Sequence, residues 1–97
     1  IMAKKEEFSD LVQASFSTLV MSIGSSAAMS LGLVPHPQTG EHEKDLTIAK
    51  FNIDLLNVLQ EKTIHNLTKE EDEFLKRLTA DLQMKFVELT KEEASKK

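Results

Sequence analysis

Apolar residues recur along this chain at helical spacings, and three segments stand out. The first predicts a long helix over about Lys4 to Leu31. Phe8, Leu11, Val12, Phe16, Leu19, Val20, Ile23, Ala27 and Leu31 follow one another three or four apart. At about 100° per residue they line one continuous face. Gly32, then Pro35 and Pro37, supply the stop, because Gly tolerates a left-handed cap and Pro cannot continue a helix. A turn-rich connector, Pro35-His36-Pro37-Gln38-Thr39-Gly40, follows.

The second helix is predicted from Asp45, a fitting N-cap, to Ile64. It carries two apolar rows side by side. Leu46, Ala49, Ile53 and Leu56 form one, and Ile48, Phe51, Leu55, Val58 and Leu59 form the other. Lys50, Asp54, Asn57 and Glu61 occupy the narrow remaining strip. An arc that wide exceeds what a surface helix needs. His65 or Asn66 is expected to close it. The third helix opens on a capping box, Thr68-Lys69-Glu70-Glu71, with Thr68 as N-cap and Glu71 reaching back. Leu75, Leu78, Leu82, Phe86 and Leu89 form its stripe, flanked by Phe74. Asp72–Lys76, Glu73–Arg77 and Asp81–Lys85 are acidic-before-basic pairs at i,i+4. Beyond Thr90 the charged end is expected to fray.

No strand pattern, repeat or low-complexity linker interrupts this order. The fold class is therefore all-α: a three-helix subunit made of a long helix, a connector and a two-helix hairpin. Its 97 residues read as one domain, 1–97, with 1–7 and 91–97 as flexible ends. Ile1 precedes Met2 and is set aside from the functional reading, and the start does not read as a signal peptide.

Within this frame the first helix is unusual. Charged residues make up 29% of the chain, yet none lies between Leu11 and Pro35. The stretch mixes apolar side chains with small ones. Ser15, Ser22, Ser26 and Ser30 share one edge of the helix, and Ser17, Gly24, Ala28 and Gly32 share a nearly opposite one. Small residues four apart let a neighbouring helix come close. Met21, Met29 and Leu33 add large apolar surface off the main face. One chain has only two further helices to cover all this, and a small soluble monomer rarely exposes so much. The expectation is a helical bundle of identical subunits, dimer favoured, with Ser22, Gly24, Ser26, Ala28, Met29, Ser30, Gly32 and Leu33 at the interface. The competing reading takes Leu11 to Pro35 as a membrane span or anchor, since some twenty uncharged residues are long enough. The many serines and the lack of Trp and Tyr weigh against it.

Charge and chemistry narrow the function classes. A net charge of −4 with scattered basic residues does not suit nucleic acid. The chain has no Cys, so thiolate metal sites and disulfides are out. His36, Glu41, His42 and Glu43 crowd the connector but match no ligand spacing, and read as a solvated loop. Glu70, Glu71, Asp72 and Glu73 are explained by their place at a helix N-terminus. The serines have no His or Lys at helical spacing to activate them. No catalytic residue, metal or cofactor is expected. The reading is a non-enzymatic, homo-oligomeric interaction or scaffold module, with an unidentified protein partner left open.

The chain also resembles a known family. The residues that carry this are Phe16-Ser17-Thr18-Leu19-Val20-Met21-Ser22, Leu31-Gly32 with Pro35, and Pro37-Gln38-Thr39-Gly40. Further on come Ile53-Asp54-Leu55-Leu56, Leu59-Gln60-Glu61-Lys62-Thr63, and Asn66-Leu67-Thr68 before Glu70-Glu71. Together they resemble the bacterial family called domain of unknown function 1844, over most of Phe8 to Leu89. That pattern has an acidic residue at the position of His36 and a Gly at that of His65. Both departures weaken a metal role for these histidines. The resemblance implies a small, mostly helical, cytoplasmic bacterial protein, and brings no activity, cofactor or partner.

Overall fold

A computed structural model describes residues 14–95. They form three helices, α1 (Phe16–Ser30), α2 (Leu46–Lys62) and α3 (Lys69–Ser95). No strand occurs among the described residues, apart from an isolated antiparallel bridge between Leu31 and Lys44.

The first helix starts later than its periodicity predicts. Ser15 is extended (φ −152°, ψ 165°), and its Oγ accepts the Thr18 N–H at 3.1 Å. A serine in that geometry satisfies a helix-start donor, so it begins α1 rather than lying inside a longer helix. The expected helical residues before Gln13, and Gln13 itself, lie outside the described residues. At the other end, Gly32 N–H donates to Met29 O and Leu33 N–H to Ala28 O, with Gly32 at φ +78°. This is a Schellman termination, and it needs the left-handed backbone that Gly adopts without penalty.

The connector is exposed to solvent, as expected, and hydrogen bonds close its neck. Its neck is closed by the Leu31–Lys44 bridge and by Asp45 N–H donating to Ser30 O at 2.7 Å. Asp45 then caps α2 through its carboxylate and the Ile48 N–H, at 3.1 Å. α2 ends at Lys62, and the chain reverses through His65 at φ +65°. The resemblance puts Gly at this position, and the backbone shows why. The capping box forms in both directions: Glu71 N–H donates to Thr68 Oγ1 (3.1 Å) and Thr68 N–H to Glu71 Oε1 (2.9 Å). α3 is helical from Lys69 to Ser95. Near its end, Glu93 meets Lys44 at 3.1 Å, which joins the last turns to the neck of the connector.

The core is small. Val20, Ala27 and Leu31 meet Ala49, Ile53 and Leu56 of α2 and Leu75 and Leu82 of α3. Two polar residues are also buried, Asn52 and Thr79, and each bonds back to a carbonyl one turn earlier, of Ile48 and Leu75. Of the expected ion pairs, Asp72–Lys76 forms at 3.0 Å, whereas Lys85 turns to Glu88 at 3.5 Å.

His65 carries a strain that Gly would not. A left-handed residue with a Cβ costs about 1–2 kcal/mol, partly offset by the greater chain entropy that Gly loses on folding. His65→Gly should therefore raise stability by about 0.5–1 kcal/mol, seen as a rise of several degrees in Tm. An unchanged or lower Tm would show that the His65 side chain makes up the difference. Leu56→Ala, at a fully buried position, should instead cost about 3 kcal/mol in urea unfolding.

Candidate functional site: the outer edge of the first two helices

The small residues of α1 divide into two kinds. Gly24 and Gly32 are accounted for inside the chain. A Cβ at Gly24 would lie 2.8 Å from Leu78 Cδ2, so the missing side chain is what lets α3 approach α1. Gly32 is the helix terminator already described. Ala28 is half-buried and packs against the core. None of these three needs a second subunit to explain its size.

The serine edge behaves differently. Ser22 and Ser26 are exposed, and Met29 and Ser30 are half-buried. Ser22 Oγ donates to Thr18 O at 3.0 Å, and Ser30 Oγ to Ser26 O at 2.8 Å. These two hydroxyls are turned onto their own helix, so at Ser22 and Ser30 the edge presents methylene and backbone rather than free donors. Leu33 follows the termination and is exposed.

Beside this edge lies the second apolar row of α2. The two rows predicted from the sequence have different fates. Leu46, Ala49, Ile53 and Leu56 face the core. Ile48, Phe51 and Val58 stand out from it, with 47%, 59% and 45% of their surface exposed, and Leu55 between them is half-buried. Ser26, Met29 and Ser30 of α1 and Ile48, Phe51 and Asn52 of α2 line a groove of about 530 Å³ between the helices. His36 and Glu43 of the connector and Asp45, the cap of α2, complete its lining. Leu19, two turns before Ser26, continues the apolar surface on α1 with 48% exposed.

The connector histidines have local partners. His42 Nδ1 donates to Gly32 O at 2.9 Å, since a carbonyl only accepts. His36 Nδ1 accepts the Gln38 N–H at 3.2 Å. Both rings brace the loop, and no group of three His, Asp or Glu side chains suited to a metal occurs among the described residues.

The fold weighs against the competing reading of Leu11 to Pro35 as a membrane span. α1 has 15 residues. At 1.5 Å per residue that is about 22 Å, short of a hydrocarbon core of about 30 Å. No helix among the described residues is long and apolar enough to cross a membrane.

The profile of the family described as Domain of unknown function (DUF1844) matches residues 13–88, which takes in all of α1 and α2 and most of α3. The chain belongs to DUF1844. No curated protein and no solved structure matches it. Membership therefore joins the helices, the Schellman turn and the capping box into one DUF1844 unit without attaching a reaction to it.

Gly24 gives this DUF1844 fold a sharp internal test. Gly24→Ala gains helix propensity of about 1 kcal/mol and asks only the end of the Leu78 side chain to move, so stability should change by less than about 1 kcal/mol. Gly24→Val adds branched bulk against Leu78 and should cost about 2 kcal/mol or more. Chemical denaturation of the two variants checks the contrast, and equal effects would refute the α1–α3 contact.

Proposed function

We propose that this protein is a non-enzymatic interaction module that works as a homo-oligomer, a dimer, in the bacterial cytoplasm. The observation that supports the reading is the apolar row Ile48, Phe51, Leu55 and Val58 on the side of α2 away from the core. Large side chains set four and three apart on one helix face are a packing surface. Water is a poor neighbour for them, and a second protein surface is a good one.

Two further observations support it. The fully buried core holds few large side chains, and small domains with small cores commonly gain stability by association. Ser22 and Ser30 direct their hydroxyls to carbonyls of their own helix, which suits an edge that meets protein at close range.

Light scattering coupled to gel filtration tests the reading. Purified protein at micromolar concentration should elute as one species of twice the 10.9 kDa chain mass. A monomer at every concentration would sink it.

A further inference from the structure

We infer that the dimer forms by antiparallel packing of α2 against α2 of a second copy, through the outer row Ile48, Phe51, Leu55 and Val58, with the serine edge of α1 flanking the contact. This rests on the homo-oligomer reading and specifies the face and the direction.

Spacing comes first. The four residues lie three, four and three apart, the a–d–a–d positions of a two-helix seam. Turning the row end for end about the point between Phe51 and Leu55 maps it onto itself. Phe51 then faces Leu55 of the copy, and Ile48 faces Val58. That self-complementarity is what a two-fold interface requires.

Area comes second. The exposed parts of Leu19, Ile48, Phe51 and Val58, with the half-buried Leu55 and Met29, add up to about 400 Å² of apolar surface per copy. A standard interface takes about 800 Å² from each side, a little over half of it apolar. The patch is therefore the size of a complete interface core. Ser26 and Ser30, being small, leave the groove beside it open, and Phe51 sits on its lip where a copy's side chains can interlock.

Charge sets the direction. Lys62 continues the row one heptad beyond Leu55, at the exposed C-terminal end of α2. Glu43 and Asp45 stand at the opposite end, where with His36 they line the groove, and Lys44 lies between them. Parallel packing would bring the two Lys62 side chains together. In the antiparallel register Lys62 faces position 44 of the copy, where Lys44 is already paired with Glu93 at 3.1 Å and stands between Glu43 and Asp45, so Lys62 meets an end of net negative charge, and the two helix dipoles oppose.

The test uses the full chain and sedimentation equilibrium, with circular dichroism to establish folding. Phe51 is exposed within a helix and Glu is a good helix former, so Phe51→Glu should keep its helicity. It should weaken the dimer by about 100-fold or more, because both copies lose a central aromatic anchor. Met84→Glu, on the far face of α3, should leave the dimer unchanged. Lys62→Glu should weaken it by about 5-fold, and adding Glu43→Lys should restore it. A folded Phe51→Glu dimer of wild-type affinity would overturn the face. Failure of Glu43→Lys to rescue Lys62→Glu would overturn the antiparallel direction. Either result leaves the homo-oligomer reading standing, whereas a monomeric wild type would remove both.

Discussion

The structure turns on one constraint: α2 has more apolar surface than α1 and α3 can cover. Its inner row, Ala49, Ile53 and Leu56, is buried against both neighbours and holds the fold together. The outer row lies beyond their reach. Helix side chains point along fixed directions, so turning α2 to bury Phe51 would bring Ala49 or Ile53 into water. The chain therefore buries the row in which the small Ala49 lets helices come close, and leaves the bulky row outside. Most other features follow from that choice. Gly24 brings α3 close to α1. The closed neck at Leu31 and Lys44 returns the chain to begin α2 beside the end of α1, and the Lys44–Glu93 pair fastens the end of α3 to the same place.

Much of this was legible in the residues. Short-range signals read best, because a cap or a Schellman turn is decided by a few neighbouring groups. Asp45, Gly32 and the Thr68–Glu71 box each act as their chemistry dictates. The two rows of α2 were also readable as rows. Their different fates were not, since periodicity gives the directions of side chains but not the positions of neighbouring helices. Ser15 was missed for a related reason. Apolar spacing runs through it without a break, and only its extended backbone and the Thr18 N–H on its hydroxyl show a start. The tie between the end of α3 and the connector was likewise out of reach of local patterns. Lys44 reaches Glu93 from the connector, far off in sequence.

The candidate surface was partly legible too. An uncharged stretch from Leu11 to Pro35 marked α1 as a helix with close neighbours, and eight of its residues were assigned to contact between subunits. In the fold, Gly24, Ala28 and Gly32 have intrachain reasons for their size. Ser22, Ser26, Met29 and Ser30 line the edge that remains. Sequence alone cannot separate a small residue that admits a helix of the same chain from one that admits a helix of another, because both need the same missing atoms. The fold separates them by showing which side is already occupied. The weight of the proposed contact consequently moves from α1 to the outer row of α2.

That shift bears on why such a small core is tolerable. Burial of large side chains is the main favourable term in folding, and a core whose largest fully buried side chains are Val20, Leu31, Leu56 and Leu75 has limited burial to offer by itself. In the proposed dimer the outer row becomes core, and each copy supplies the apolar layer that the other lacks. Stability and assembly would then be one equilibrium: anything that binds the folded state and not the unfolded one raises stability with its own concentration, and here that ligand is the chain itself. The same logic fits the back-bonded serines. A leucine edge on α1 would add sticky surface to the free monomer and invite promiscuous contacts, whereas methylene and backbone, with hydroxyls already satisfied, add close packing only when a matching surface arrives. Phe51 and its row then supply the attraction, and the serine edge supplies the selectivity.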